Sequence, residues 1–290
     1  MIGFWITNLM PPSAPEEFEV KTPSGTWIFE RAARYFEYVP QVEQGACANT
    51  YSMSLSLPSD RTRLAVKEQA FHEALPLCLG ASFAMGAAVT VSQSTPASEI
   101  QFIDVGSHFP RARGISTPWK CITTQADLMG FLEIFVAKFN ALNPTEKLLL
   151  LTHFHLDAIA CWSLEDLYLS GSTLLQIIAD TEKSSGRKFA KTHAATRGSK
   201  SIGFFDFLAG AANRAGIAAP THDVVKIRNS LIHEGSLKRQ GFATKEQATV
   251  PIAEALQWVD AYVFAILGLS TPPVTRYDAQ TLARLNSFSF

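Results

Sequence analysis

Charge and cysteine are both scarce in this 290-residue chain. Asp, Glu, Lys and Arg make up only 18% of it, and they sum to −1. Such a balance leaves no global field to attract nucleic acid or anionic lipid, so any anion-binding surface must be local. The four cysteines, Cys47, Cys78, Cys121 and Cys161, stand far apart and form no CxxC pair. That argues against a disulfide framework and fits reduced, mostly buried thiols in a cytoplasmic protein. The opening residues, MIGFWITNLMPP, lack the basic start and apolar run of a signal peptide. Long hydrophobic runs are missing too. The longest uncharged stretch, 74–98, is interrupted by Pro76, Gly80 and Gly86. It reads as a buried helix passing into a strand, not as a membrane span. There is no internal repeat and no low-complexity tract.

What is present is a core. Apolar residues make up 47% of the chain, and the length allows one large domain or two ordinary ones. The first ~120 residues read as α+β. EEFEV and TWIFE flank a TPSG turn and predict a hairpin. RYFEYV follows with alternating aromatics. In TYSMSLSLP, Tyr51, Met53, Leu55 and Leu57 alternate with serines, the period of a half-buried strand. Ser59 or Asp60 is placed to cap a helix over 61–75, and EIQFIDV, 99–105, reads as a further strand.

Beyond a Gly-, Pro- and Ser-rich stretch at 106–120, strand signals nearly vanish. Leu128, Phe131, Leu132, Phe135, Val136 and Phe139 recur at helical spacing. Pro144 is placed to open a second helix, which runs through LLLLTHFHLDAIACW and on toward LEDLYL. Ser172 opens a third, and FFDFLAGAANRAGI is a fourth. Thr221 caps THDVVKIRNSLIHEGSL, with Gly235 near its end, and 246–269 is a long closing helix carrying Pro251 near its start. The reading is an α+β domain over 1–110, a linker over 111–123, an all-α bundle over 124–270 and a tail over 271–290 that forms an arm or a short docking helix.

Two motifs carry possible chemistry. In LLLLTHFHLDA, His153, His155 and Asp157 resemble the metal-binding signature of metallo-β-lactamase-type hydrolases, with Ala158 where that family places another histidine. On a strand the three side chains would share a face and could converge on zinc. On a helix His155 points about 200° away from His153, and the all-α surroundings favour the helix. A metal-dependent hydrolase is therefore a secondary alternative, and no metal ligand is assigned.

The second motif is RNSLIHEG. An arginine followed by a histidine after four to six residues occurs twice, at Arg187 with His193 and at Arg228 with His233. The first lies in a polar loop. The second has Asn229 directly after the arginine, Leu231 and Ile232 as an apolar anchor, and a trailing Gly235. This stretch resembles the RNxLxHxG form of the HEPN superfamily, helical-bundle domains of which many are metal-independent ribonucleases. ACWSLEDL resembles an earlier HEPN helix, and the resemblance covers roughly 125–270. It implies a HEPN-like bundle after the α+β domain, working as a homodimer with two motifs facing one cleft.

The resemblance also implies an endoribonuclease that leaves 2′,3′-cyclic phosphate ends, with Arg228 and His233 catalytic, Asn229 in support, and no cofactor. The chemistry suits the residue types. Histidine transfers protons near neutral pH, and a guanidinium stays charged against the phosphorane. By the same analogy the protein serves phage defence or a toxin system, with the α+β domain sensing a trigger or holding an RNA. The alternative is a non-catalytic HEPN-type module that binds RNA or dimerises. Lys183, Arg187, Lys188, Lys191, Arg197 and Lys200 fall in a stretch without acidic residues and are expected to contact RNA phosphates. Neither a membrane nor DNA is expected as a partner.

Overall fold

A computed structural model describes residues 2–44, 46–56, 63–93, 101–103, 120–186, 202–239 and 241–290. The chain forms two compact units, Met1–Ala141 and Leu142–Phe290.

The first unit is built on an antiparallel six-stranded sheet in the order β2-β3-β4-β1-β5-β6. Its strands are β1 (Ile2–Thr7), β2 (Glu17–Thr22), β3 (Gly25–Arg31), β4 (Asn49–Ser56), β5 (Thr90–Gln93) and β6 (Gln101–Ile103). The expected hairpin is present, with Thr22 paired to Gly25 across the turn. The alternation read in TYSMSLS also holds: Tyr51, Met53 and Leu55 are buried. Leu55 and Met53 stand opposite Trp27 and Phe29 of β3, and Met53 and Tyr51 stand opposite Phe4 and Ile6 of β1, all of them buried on the same face. RYFEYV belongs to no strand. It opens α1 (Tyr35–Glu43), whose Tyr35 packs edge-on against Tyr51 at 5.4 Å.

The uncharged stretch becomes the end of α2 (Arg63–Met85) and then β5, the helix-to-strand passage expected of it. The Ser59 or Asp60 cap lies outside the described residues, as do parts of the 99–105 strand and of the 111–123 linker. Glu73 of α2 is buried and accepts from the Thr22 hydroxyl (2.6 Å), the Ser24 amide (3.1 Å) and the Trp27 indole (2.9 Å). A carboxylate with several donors is the condition under which burying one is tolerable. Helix α3 (Gln125–Glu146) lays its aromatic stripe on α2. Gly80 makes this possible, because a Cβ there would sit 3.1 Å from the Phe135 ring. Most of α3 therefore belongs with the first unit, and the division falls inside this helix.

The second unit is helical. It contains α4 (Leu148–Ile159), α5 (Leu164–Ser184), α6 (Phe204–Ala215), α7 (His222–Glu234), α8 (Lys245–Ile266) and α9 (Ala279–Leu282). Pro144 lies in the last turn of α3 and does not open α4, which begins after Lys147 in a left-handed conformation. Ser172 likewise starts nothing. The N-cap of α5 is Ser163, whose hydroxyl accepts from the Asp166 amide with Glu165 and Asp166 in the first turn. Gly171 sits mid-helix because Leu256 passes so close that a Cβ would meet it at 3.1 Å. Thr244 and Gln247 form a capping box on α8, and Pro251 falls in its second turn.

Four helices meet at one buried ion cluster. Arg214 of α6 grips Glu146 of α3 through both Nη atoms (2.9 and 3.0 Å) and Glu182 of α5 through Nε (3.0 Å). It also donates to the Tyr262 hydroxyl of α8 at 2.7 Å. Tyr262 in turn donates to Glu146 at 2.7 Å.

The tail docks, as one of its two expected forms. Arg276 makes a buried bidentate pair with Asp260 (2.8 and 2.7 Å), and Tyr277 is buried with its hydroxyl 3.4 Å from the His155 ring nitrogens. Ser287, Phe288 and Ser289 all donate to Glu165 at the start of α5. No described helix is long and apolar enough to cross a membrane.

Two outcomes follow from this packing. Arg214→Ala leaves Glu146 buried without its cation and is expected to cost roughly 3–5 kcal/mol in urea unfolding. His155 is held neutral, its pKa pushed well below the ordinary value by burial and by the Arg276 charge. The unfolded chain binds that proton below pH ~6.5 while the folded chain refuses it. Stability therefore declines as pH falls below that value, by at most about 1.4 kcal/mol per unit from this group. In His155→Phe, unfolding curves between pH 7 and 5 lose that part of the slope.

Candidate functional site

RNSLIH lies in the last two turns of α7, a helix whose ends have local causes. Thr221 occupies the N-cap position, as expected. Its side chain does not cap; the Thr221 amide and hydroxyl both donate to Glu254 of α8, each at 2.6 Å. Gly235 ends the helix at φ 67°, a left-handed conformation that glycine adopts without a Cβ clash.

The face that packs is carried by Val224, Ile227 and Ser230, all buried, with Leu231 half-buried behind them. This corrects the expected Leu231–Ile232 anchor. Ile232 lies one residue, about 100°, further around the helix and is 43% exposed. Tyr168 of α5 fixes the start of α7 by donating to the Val224 carbonyl at 2.5 Å.

Arg228, Asn229 and His233 stand off this packed face. Asn229 and His233 are exposed and Arg228 is half-buried. Arg228 extends to α5, where Nη2 donates to Gln176 Oε1 at 2.7 Å. Its guanidinium lies over the Phe204 ring of α6 at 4.2 Å, and Nη1 donates to Asn229 Oδ1 at 3.2 Å. Burial lowers the Arg228 pKa, while Tyr168 and Asp180 work in the opposite direction.

The structure thus brings Arg228 and Asn229 together but does not join His233 to them. Helix α7 runs unbroken through both residues, and Arg228 stands about 140° from His233 around the axis. One copy of α7 does not aim both side chains at one phosphate.

The remaining candidates are dispersed. His153, His155 and Asp157 lie on helix α4, not on a strand. His153 faces Asp157 at 4.0 Å, one turn on, whereas His155 is buried against Tyr277. Among the described residues no three His, Cys, Asp or Glu side chains gather as a metal site would need. None of the four cysteines is in a disulfide. Lys183 is exposed in the last turn of α5. Arg187, Lys188, Lys191, Arg197 and Lys200, together with the second motif match at Arg187 and His193, lie outside the described residues.

Sequence reasoning missed the surroundings of Arg228. Gln176 donates from Nε2 to Asp180 Oδ1 at 3.0 Å, four residues on along α5. Asp180 lines a cleft of about 610 Å³, with Thr145, Lys147 and Leu150 on one side and Ile177 and Ser184 beside it. The Gln176–Asp180 spacing is visible in the sequence as an i,i+4 pair. Nothing local in the sequence marks Phe204.

Comparison with protein families, with curated proteins and with solved structures finds no match for the chain.

The split between packing and polar positions on α7 can be measured. Ile227→Ala is expected to cost about 2–4 kcal/mol in urea unfolding. His233→Ala, an exposed site, should stay within about 0.5 kcal/mol of the parent chain. A large loss in His233→Ala would show that this side chain serves the fold.

Proposed function

We propose that the second unit is a HEPN-like bundle acting as a metal-independent endoribonuclease through Arg228 and His233, with Asn229 in support. The observation that carries this reading is the division of labour on α7. Its apolar residues do the packing, while the motif's polar residues stay at or near the surface. Arginine is costly to half-bury, and a guanidinium clamped by an aromatic ring and an amide suits a fixed cation beside a phosphate. The reaction is an in-line transesterification. The 2′-oxygen loses its proton and attacks phosphorus, the bond to the 5′-oxygen breaks, and that oxygen takes up a proton. The products are a 2′,3′-cyclic phosphate and a 5′-hydroxyl. His233 is the proton-transfer group and Arg228 offsets the added charge on the phosphorane. The angle between them is accommodated in a dimer, where Arg228 of one chain and His233 of the other share a cleft. Lys183 and the basic stretch after it would hold the RNA backbone.

A second reading, a non-catalytic HEPN-type dimerisation or RNA-binding module, is favoured by Ile232, an exposed apolar residue directly beside His233.

The discriminating measurement is RNA cleavage in EDTA. The ribonuclease cuts with metal removed, leaves cyclic phosphate ends, and loses at least about 100-fold in rate in His233→Ala and in Arg228→Ala. Cutting that survives both substitutions refutes the assignment. A stable dimer that binds RNA without cutting it supports the second reading.

A further inference from the structure

Arg228 is restrained in more directions than the strength of one surface contact requires. The Phe204 ring under the guanidinium, at 4.2 Å, sets the plane of the fork. A cation–π contact alone leaves the group free to rotate within that plane. Gln176 removes that freedom by accepting from Nη2 at 2.7 Å, and Asn229 accepts from Nη1 at 3.2 Å. Nε is buried and makes no hydrogen bond among the described residues. What remains for a ligand is one N–H on each of the two Nη atoms.

The Gln176 amide has only one workable orientation. A guanidinium donates and never accepts, so the amide oxygen must face Arg228. The Asp180 carboxylate accepts, so the amide nitrogen must face Asp180, and it does so at 3.0 Å. Gln176 and Asp180 sit four residues apart on α5, on one side of the helix. The order Asp180, Gln176, Arg228 is therefore a polar relay in which each member fixes the next.

We infer that Gln176, itself held by Asp180, is a positioning residue that orients the Arg228 fork for an RNA phosphate. The inference rests on the ribonuclease reading for its substrate, and on the relay geometry for the role of Gln176. Gln176 touches no reacting atom; its effect passes through Arg228.

The test uses the full chain and a labelled RNA oligonucleotide in EDTA under single-turnover conditions. Gln176→Ala should lower the rate at saturating protein by about 10- to 100-fold, as expected when a catalytic group is misplaced by an ångström or so. The half-saturating concentration should change by less than about threefold, because phosphate binding elsewhere is intact. In an Arg228→Ala background Gln176→Ala should add nothing further, since its effect runs through the arginine. Asp180→Ala should lower the rate and Asp180→Asn should lower it less, because an amide oxygen can still accept from Gln176. The second readout needs no catalysis. In nitrogen-15-labelled protein the Arg228 Nε–H signal, assigned by its loss in Arg228→Lys, should shift and exchange faster with water in Gln176→Ala.

Wild-type protein that cuts no RNA overturns the ribonuclease reading, and this inference loses its substrate with it. Wild-type cutting with an unimpaired Gln176→Ala, or with an unchanged Nε–H signal, overturns this inference alone.

Discussion

The second unit depends on Arg214. A single guanidinium draws Glu146, Glu182 and Tyr262 together and so joins α3, α5, α6 and α8 at one point. Carboxylates this deeply placed are tolerated only where their oxygens are satisfied by strong donors. The planar fork meets that condition for Glu146 through two parallel bonds, and Tyr262 adds a third. Hydrophobic packing alone would allow these helices to slide along their apolar faces. A fixed pattern of donors and acceptors permits far fewer registers. Helix α5 is held at both ends: Glu182 meets Arg214 near its C-terminus, and separately Glu165 accepts the tail near its N-terminus.

A well-held α5 matters because it presents Gln176 and Asp180. The first accepts from Arg228, and the second fixes the first. The motif on α7 is therefore positioned by a neighbour whose own position is set elsewhere in the bundle. Phe204 enters from α6, the helix that also carries Arg214. Stability and the proposed chemistry thus share elements without sharing residues. The side chains that pack α7 are Val224 and Ile227, while those with chemical potential are Arg228, Asn229 and His233.

Much of the architecture was legible in the sequence where the local signal was strong and no tertiary contact opposed it. The alternation around Tyr51, the TPSG hairpin, the aromatic stripe of α3 and the glycine that closes α7 are of this kind. The misreadings have physical causes. RYFEYV carries aromatics at a strand-like spacing, but Tyr35 finds its partner as a helical residue beside β4. Ser172 looks like a helix start because small polar residues usually punctuate; it lies mid-helix beside Gly171, where a small residue is needed for the close passage of Leu256. Leu231 and Ile232 were both read as anchor because adjacency in sequence hides the 100° turn between them. THFHLD read as a metal cluster only if extended, and the surrounding helices made it α4.

Local pattern is enough to read this chain as α+β first and helical afterwards, with an arginine, an asparagine and a histidine on one late helix. Periodicity and caps are local properties, so they survive without knowledge of the fold. What those three residues face depends on how the helices pack. That packing sent Arg228 to Gln176 and Phe204, left His233 exposed, buried His155 against Tyr277, and gave α5 its role as the support of the motif. Such pairings join residues as far apart as Glu165 and Ser289. Side-chain direction across a helix bundle depends on which helices are neighbours, and no local pattern encodes that.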